Sequence, residues 1–255
     1  MKILIVSAHP EPASLTNALR DIAIDQLRAD GHEVQLSDLY AMKFKTVVDR
    51  DDFPAVDPAE PLRPTVASMK AAAAREFSQD VLDEQEKVFW ADAVIFAFPL
   101  WWFSVPAIMK GWIDRVWTAG VGYQLTGERY GAGRMAGKRA MLMVMVGGQE
   151  SYFSERGVNG PINDLLFPIT HGMLYYPGFD VLPSLLVHGT HHLGEKYPAV
   201  VEGVRERMRT LFTIPPIPFR PQGGGDYTEK AFELREEVAA SAPAGFAAHI
   251  QTDAE

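Results

Sequence analysis

The chain predicts an α/β fold, a parallel sheet wound with helices on both faces. Near-continuous apolar runs at Lys2–Ala8, Ala93–Phe98 and Arg139–Gly147 read as strands buried on both sides. Segments with helical apolar spacing lie between them. The alternation of strand and helix continues to residue 212, and a parallel sheet joined by crossover helices requires that alternation.

Each element follows from its own pattern. Lys2-Ile-Leu-Ile-Val-Ser-Ala8 is a short apolar run with the character of a central strand. Ser14–Ala29 places Leu15, Ala18, Leu19, Ile22, Ile24 and Leu27 on one helical face. Gly31 ends that helix, and Glu33–Leu39 alternates as a half-buried strand does. Met42–Thr65 reads as a polar connection rich in Pro and Asp, with Asp49-Arg-Asp-Asp52 a solvated loop. A helix is expected over Ser78–Trp90, a third strand over Ala93–Phe98 and a helix over Pro106–Trp117. A fourth strand over Arg139–Gly147, a helix over Asn163–Tyr175, a fifth strand over Phe179–His188 and an amphipathic helix over Lys196–Phe212 complete the series.

Five strands in this alternation suit the flavodoxin-like order 2-1-3-4-5, a doubly wound sheet. Its ligands sit beyond the carboxyl ends of the strands, at the switch point between strands 1 and 3. Residues 1–212 are expected to form this domain, and residues 213–255 a C-terminal extension packing on the domain or on a dimer partner. In the extension Ile214–Phe219 reads as extended, Gln222-Gly-Gly-Gly225 as a flexible break and Tyr227–Ala239 as one more helix.

Composition narrows the function. The 255 residues are 47% apolar and 22% charged, with a net charge of −9. Nucleic acid and anionic membranes call for a basic face, so neither is an expected partner. There are no cysteines, which excludes disulfides and thiol chemistry and fits a cytoplasmic setting. The amino-terminal apolar run is too short for a signal peptide, and Ala93–Met109 is broken by two prolines, so no membrane span is expected.

Three loops at the carboxyl ends of the strands carry ligand chemistry. In His9-Pro-Glu-Pro-Ala-Ser-Leu-Thr-Asn17, Ser14 can cap a helix whose first N–H groups face an anion. It has neither a Walker pattern nor a Gly-x-Gly-x-x-Gly pattern. The second loop follows Pro99 and carries Leu100, Trp101, Trp102 and Phe103. Large rings in an exposed loop call for a flat apolar cover, such as a flavin or a dimer interface. The third opens with Gly147-Gly148, which lets the backbone approach a ligand closely. His188-Gly-Thr-His-His192 is the one histidine cluster; it has no carboxylate at ligand spacing, and no metal is expected there.

The segments His9–Asn17, Ser37–Phe44, Phe98–Trp117 and Gly147–Gly157 together resemble the NAD(P)H:quinone oxidoreductase (DT-diaphorase) family of flavodoxin-fold reductases. The block Phe-Pro-Leu-Trp-Trp-Phe-x-x-Pro-Ala-x-x-Lys-Gly is its most specific part. The resemblance implies a homodimer with one FAD per subunit, FMN being the less expected flavin. It also implies two-electron, ping-pong hydride transfer from NADH or NADPH to a quinone. It assigns flavin contacts to His9, Ser14, Leu15 and Thr16, to Pro99, Leu100, Trp101, Trp102 and Phe103, and to Met145, Val146, Gly147, Gly148 and Phe153. The acceptor slot would be lined by Trp102 and Phe103 and, across the dimer, by Tyr123, Gln124, Leu125 and Tyr176.

Gly147, Tyr152, Phe153 and Asn159 form the candidate catalytic set. Here the chain departs from the family, in which a Tyr and a His settle charge beside the flavin. Phe153 and Asn159 stand at those positions, and neither a phenyl ring nor an amide can relay a proton near neutral pH. Tyr152 is the neighbouring hydroxyl. Two other readings keep the flavin: a reductase of azo, nitro or other acceptors, and a flavin-binding regulatory subunit of a transporter.

Overall fold

The structure is a computed structural model that describes residues 1–124, 127 and 129–251. Its sheet comprises β1 (Lys2–Ser7), β2 (Glu33–Asp38), β3 (Ala93–Pro99), β4 (Arg139–Val146), β5 (Asp180–Val181) and β6 (Leu185–His188). The order is β2-β1-β3-β4-β5, with β6 also on β4 and every pairing parallel. The helices are α1 (Leu15–Ala29), α2 (Pro64–Ala74), α3 (Gln79–Trp90), α4 (Ala107–Val116), α5 (Ile162–Phe167), α6 (Tyr197–Arg209) and α7 (Glu236–Ser241).

Strand alternation divides the core into two layers. Leu4, Val6, Val94, Phe96, Phe98, Leu142 and Val144 point toward α3, α4 and α5. Ile3, Ile5, Ile95, Met141, Met143 and Met145 point toward α1 and α6. Period-two alternation within uninterrupted apolar runs produces this arrangement: each residue is core, but successive ones serve opposite faces.

Four expectations need correction. The fifth strand is split: Asp180–Val181 pairs with the start of β4 and Leu185–His188 with its end. Pro183 lies in the gap, and a residue without an N–H cannot continue a ladder. The helix expected over Asn163–Tyr175 is α-helical only to Phe167, then winds as a π-helix over Pro168–Tyr175. Pro168 cannot donate to a carbonyl in the preceding turn, and Thr170 Oγ1 donates to the Leu166 carbonyl at 3.2 Å.

The polar connection holds more order than its composition suggests. Helix α2 was not read from the sequence; its alanine-rich run has no clear apolar stripe, and Arg75 ends it in the left-handed region. Asp52 is not solvated but 2% exposed, accepting from Arg115 Nε at 3.1 Å and Nη2 at 2.8 Å. Arg115 is itself buried, and Asp80 meets its Nη1 at 2.7 Å. This pair ties the connection to α4 beside a small core of Phe53, Phe77 and Val81.

In the extension, Tyr227–Leu234 closes as a turn with an antiparallel bridge, and only Glu236–Ser241 is helical. Thr228 N donates to the Glu233 carbonyl at 2.8 Å, and Phe232 takes φ +54°. A left-handed phenylalanine is incompatible with a continuous helix. The extension packs on its own domain: Phe219 is buried, its carbonyl accepts from the Tyr175 hydroxyl at 3.1 Å, and Ile217 N donates to the Val181 carbonyl at 2.7 Å.

A stack of rings fastens that contact. His171 lies on Tyr130 (4.8 Å between centroids) and on Phe167 (4.6 Å), and Phe246 covers the other face of Phe167 at 4.4 Å. Burial, assisted by the nearby His249, lowers the His171 pKa from 6.5 to about 4. Between those values the unfolded chain holds a proton that the folded chain excludes. The stabilisation is therefore complete above about pH 6.5 and declines as pH falls toward about 4. His171→Phe is expected to flatten this part of the pH dependence of urea unfolding midpoints.

Candidate functional site

Pairing of β3 with β4 places two of the three loops side by side. The register runs from Ala93 opposite Arg139 to Pro99 opposite Met145, and Leu100 N donates to the Met145 carbonyl at 2.9 Å. The loop after β1 joins them, because Ala8 N donates to the Ala97 carbonyl at 3.0 Å. A cleft of ≈ 350 Å³ opens there. Its walls are His9, Leu15 and Thr16 on one side, Pro99, Leu100 and Trp101 on another, and Met145 and Gly147 on a third.

The first loop is held from beneath. Ser14 is the N-cap of α1 and its Oγ accepts from Asn17 N at 3.2 Å. Asn17 donates through Nδ2 to the Glu11 carbonyl at 3.0 Å and accepts from Arg20 at 2.9 Å, while Arg20 also meets Asp38 at 2.8 Å. His9 Nδ1 accepts from Glu11 N at 3.1 Å. Ser14 thus acts on the helix it caps, and Leu15 and Thr16, in the first turn, line the cleft. A helix start leaves N–H groups without intrahelical acceptors, which suits an anion such as a phosphate.

The aromatic loop is a tight reversal. Trp101 N donates to the Ser104 carbonyl at 3.2 Å and Ser104 N to the Trp101 carbonyl at 3.0 Å. The two residues between them, Trp102 at φ +50° and Phe103 at φ +58°, are both left-handed. Positive φ at both central residues defines a type I′ turn, which favours Asn and Gly. Each bulky residue there costs about 1–2 kcal/mol. Trp102 is 95% exposed, so burial within the chain returns almost nothing. Strain of this kind clusters at functional sites.

In the third loop, a Cβ on Gly147 would lie 3.0 Å from His191 Nε2, and one on Gly148 would lie 2.9 Å from the Phe153 ring. Phe153 is turned inward, buried against Gly148 and 5.6 Å from the His188 ring. Tyr152 is half exposed beside Gly148. Asn159 sits partly buried, with its N donating to the Tyr152 carbonyl at 3.0 Å. Val146 is buried at the end of β4.

The histidine run disperses. His188 faces Phe153, and burial lowers its pKa, offset in part by Glu150 and a bond to the Gly148 backbone. His191 and Thr190 line the cleft. Both were missed as site residues from the sequence. The signal was present: they follow β6 at the same carboxyl edge as the other loops, after a left-handed Gly189.

The proposed acceptor residues divide. Tyr123 and Tyr176 contact each other at 5.8 Å, and Tyr176 meets Tyr130 edge-on at 5.1 Å. Gln124 is exposed, and none of these three lines the cleft of its own chain. Leu125 lies outside the described residues.

Comparison with known proteins agrees with this geometry. A family model described as the flavodoxin-like fold matches residues 1–212. A Penicillium crustosum protein, ribosyldihydronicotinamide dehydrogenase-like protein traD, is 47% identical, with 100% of this chain and 97% of that protein covered. Rat NAD(P)H dehydrogenase [quinone] 1 is 38% identical over 93% of this chain and 87% of its own length. A Klebsiella pneumoniae crystal structure, described as that of a candidate quinone reductase, superposes with a TM-score of 0.95 at 49% identity. That match covers 98% of this chain and 100% of the other.

The strained turn yields a direct test. Converting it to Asn-Gly, by Trp102→Asn with Phe103→Gly, relieves both left-handed positions. The protein without flavin should gain about 1–2 kcal/mol of stability by thermal unfolding, while its flavin affinity falls. Lost stability in that variant would refute the assignment of strain.

Proposed function

The chain belongs to the flavodoxin-like family that includes the NAD(P)H dehydrogenases of quinones, and from that membership we propose that it is a flavin-dependent NAD(P)H oxidoreductase that reduces quinones. The observation that carries this reading is the left-handed Trp102–Phe103 turn directly after Trp101, which lines a cleft walled by three loops from one sheet edge. A regulatory subunit would need a flavin site but no exposed aromatic slot beside it.

The residues present fit a flavin. Leu100, Trp101 and Met145 offer an apolar wall, and the absent side chains of Gly147 and Gly148 leave room for a flat ring against the backbone. The start of α1 and the imidazoles of His9 and His191 suit a phosphate. We assign FAD as the flavin, because Thr190 and His191 continue the cleft past Gly147 into the loop preceding α6. When bound, the flavin supplies two-electron transfer between a nicotinamide donor and an acceptor that use one slot in turn.

The chain's own groups do the rest. Trp102 and Phe103 are presented to solvent, where they can cover a flat donor or acceptor and exclude water. Backbone N–H groups at Gly147 and Gly148 can stabilise charge that develops on a ring. Buried Phe153 serves the shape of the turn through its contact with Gly148. Tyr152 is the hydroxyl at the surface of that turn and is assigned the proton-bearing role. Tyr123, Gln124, Leu125 and Tyr176 would complete the slot from the second subunit of a homodimer.

The test is an anaerobic absorbance spectrum of the FAD-supplemented protein. Bleaching of a retained flavin by NADPH or NADH, and its recovery on adding a quinone, is the expected outcome. A protein that retains neither FAD nor FMN would overturn the reading. Retention of FMN alone would overturn the FAD assignment. Trp102→Ala is expected to lower flavin occupancy and turnover together. Tyr152→Phe should keep the flavin but lower kcat by roughly tenfold or more.

A further inference from the structure

The seven histidines have different surroundings. His9 and His191 line the flavin cleft, and His9 Nδ1 already accepts from Glu11 N. His191 and His192 are exposed, so solvent screens charge on either. His171 and His249 belong to the rings beneath the extension, and His32 lies edge-on to Phe212 just after α1. His188 stands apart. Its Nδ1 is buried and has no hydrogen-bond partner among the described residues. A buried polar atom left unpaired costs free energy, and folded proteins keep few of them.

The sheet places that ring beneath the Gly147–Gly148 turn. His188 lies opposite Val146, the last residue of β4. Gly189 N donates to the Gly148 carbonyl at 2.9 Å and Thr190 N to the Val146 carbonyl at 3.3 Å, which ties the end of β6 to the turn. The Phe153 ring, packed against Gly148, is 5.6 Å from the imidazole. Thr190, two residues further on, lines the cleft, whereas His188 does not. It is placed to act on a bound ring through space, not by contact.

The groups around the imidazole leave it poised to titrate. Val146 of β4, Phe153 of the turn and Leu166 of α5 belong to one apolar layer, against which Leu186, two residues before His188, also packs. Asn159 carries an amide that does not titrate, and Tyr152 is half exposed. Glu150, exposed on the turn, is the charged group that acts on the ring, and the Gly148 backbone also favours its protonated form. Burial outweighs both and lowers the His188 pKa from 6.5. The ring is therefore neutral in the resting protein at neutral pH. His188 is itself partly exposed, so the imidazole keeps a path to solvent.

Hydride transfer creates a charge at this sheet edge. A hydride carries two electrons and one proton, so a flavin that accepts it gains one negative charge. A nearby negative charge favours an imidazolium, and it acts most strongly across an apolar medium. We propose that His188 takes one proton from solvent when the flavin is reduced and returns it when the flavin is reoxidised, balancing the charge from beneath the Gly147–Gly148 turn. The proposal rests on the quinone-reductase reading. The balance closes over one cycle: the hydride passes from nicotinamide to flavin to quinone, and one proton enters at His188. That proton leaves as the quinone takes one to become the hydroquinone. His188 is a positioning residue for charge, because it touches neither donor nor acceptor.

The test is the midpoint potential of the FAD-saturated protein, followed by absorbance from about pH 6 to about pH 8, where an imidazole titrates. Each proton taken up with two electrons makes the equilibrium tenfold dependent on each pH unit, or about 30 mV. The expected slope is two protons, about 60 mV per pH unit, and His188→Leu and His188→Gln should each return it to one, about 30 mV. Leu suits an apolar site and Gln keeps a polar one, so agreement between them separates charge from packing. Histidine-labelled NMR of the unaltered protein should show the His188 imidazole neutral beside oxidised flavin and protonated beside reduced flavin at neutral pH. A one-proton slope in the unaltered protein, a two-proton slope kept in either variant, or an imidazole that stays neutral on reduction would each overturn the proposal. The quinone-reductase reading survives those results, since the flavin is still bound and reduced. A protein that retains no flavin overturns that reading and this proposal together.

Discussion

The ladder between β3 and β4 sets the position of everything that follows. It runs without interruption from Ala93–Arg139 to Pro99–Met145, and the next bond, Leu100 N to the Met145 carbonyl, already belongs to the site. Both strands are buried along nearly their whole length, so a slip of one residue would exchange the two core faces. The register is therefore fixed by the core, and the loops inherit it. The aromatic turn and the Gly147–Gly148 turn meet because Phe96 and Met143, several residues earlier, each have only one face to go to.

That rigidity explains how the strained turn survives. Two bulky left-handed residues cost about 2–4 kcal/mol together, a large part of a typical domain's net stability. The turn is closed by paired bonds between Trp101 and Ser104, directly after a strand and directly before α4. Trp112 of α4 is fully buried, donating to the buried Glu84 at 2.7 Å, and Arg115 of the same helix is locked by Asp52. Both ends of the turn are thus anchored in the core.

Much of this was legible in the sequence. The central strands and α1, α3, α4 and α6 follow from apolar periodicity, and the loop chemistry follows from the rule that ligands sit at the carboxyl edge. What escaped was set by tertiary contacts. Asp52 has the composition of a solvated loop, and Arg115, distant in sequence, together with Lys45 makes it a buried partner. Helix α2 has little periodicity to read, because alanines pack as well as they face water. Phe153 and Tyr152 are adjacent, chemically similar and both against Gly148, so which one turns inward is not written in the local sequence. His191 was visible only as part of a histidine run, and the run has no common direction once Gly189 turns left-handed.

The extension shows the same division between local pattern and long-range contact. Its prolines and glycines predict an irregular strap, yet the strap is pinned at several depths. Ile217 bonds to Val181 at the sheet edge, Phe219 is buried against Tyr175, and Gln222 bonds to Tyr130. Arg220 then ties the strap to itself through Asp226 and Ala248. A segment attached in this way orders the residues on which it lies, including Tyr130, left-handed at φ +46°. The two aromatic pairs held left-handed in this protein are thus maintained by different means. Trp102 and Phe103 are held by the central sheet, the most rigid part of the fold. Tyr130 and Phe232 are held by a strap whose ring stack weakens as His171 gains a proton. None of the residues lining the cleft takes part in that stack, so the His171 proton acts on the strap and not directly on the cleft.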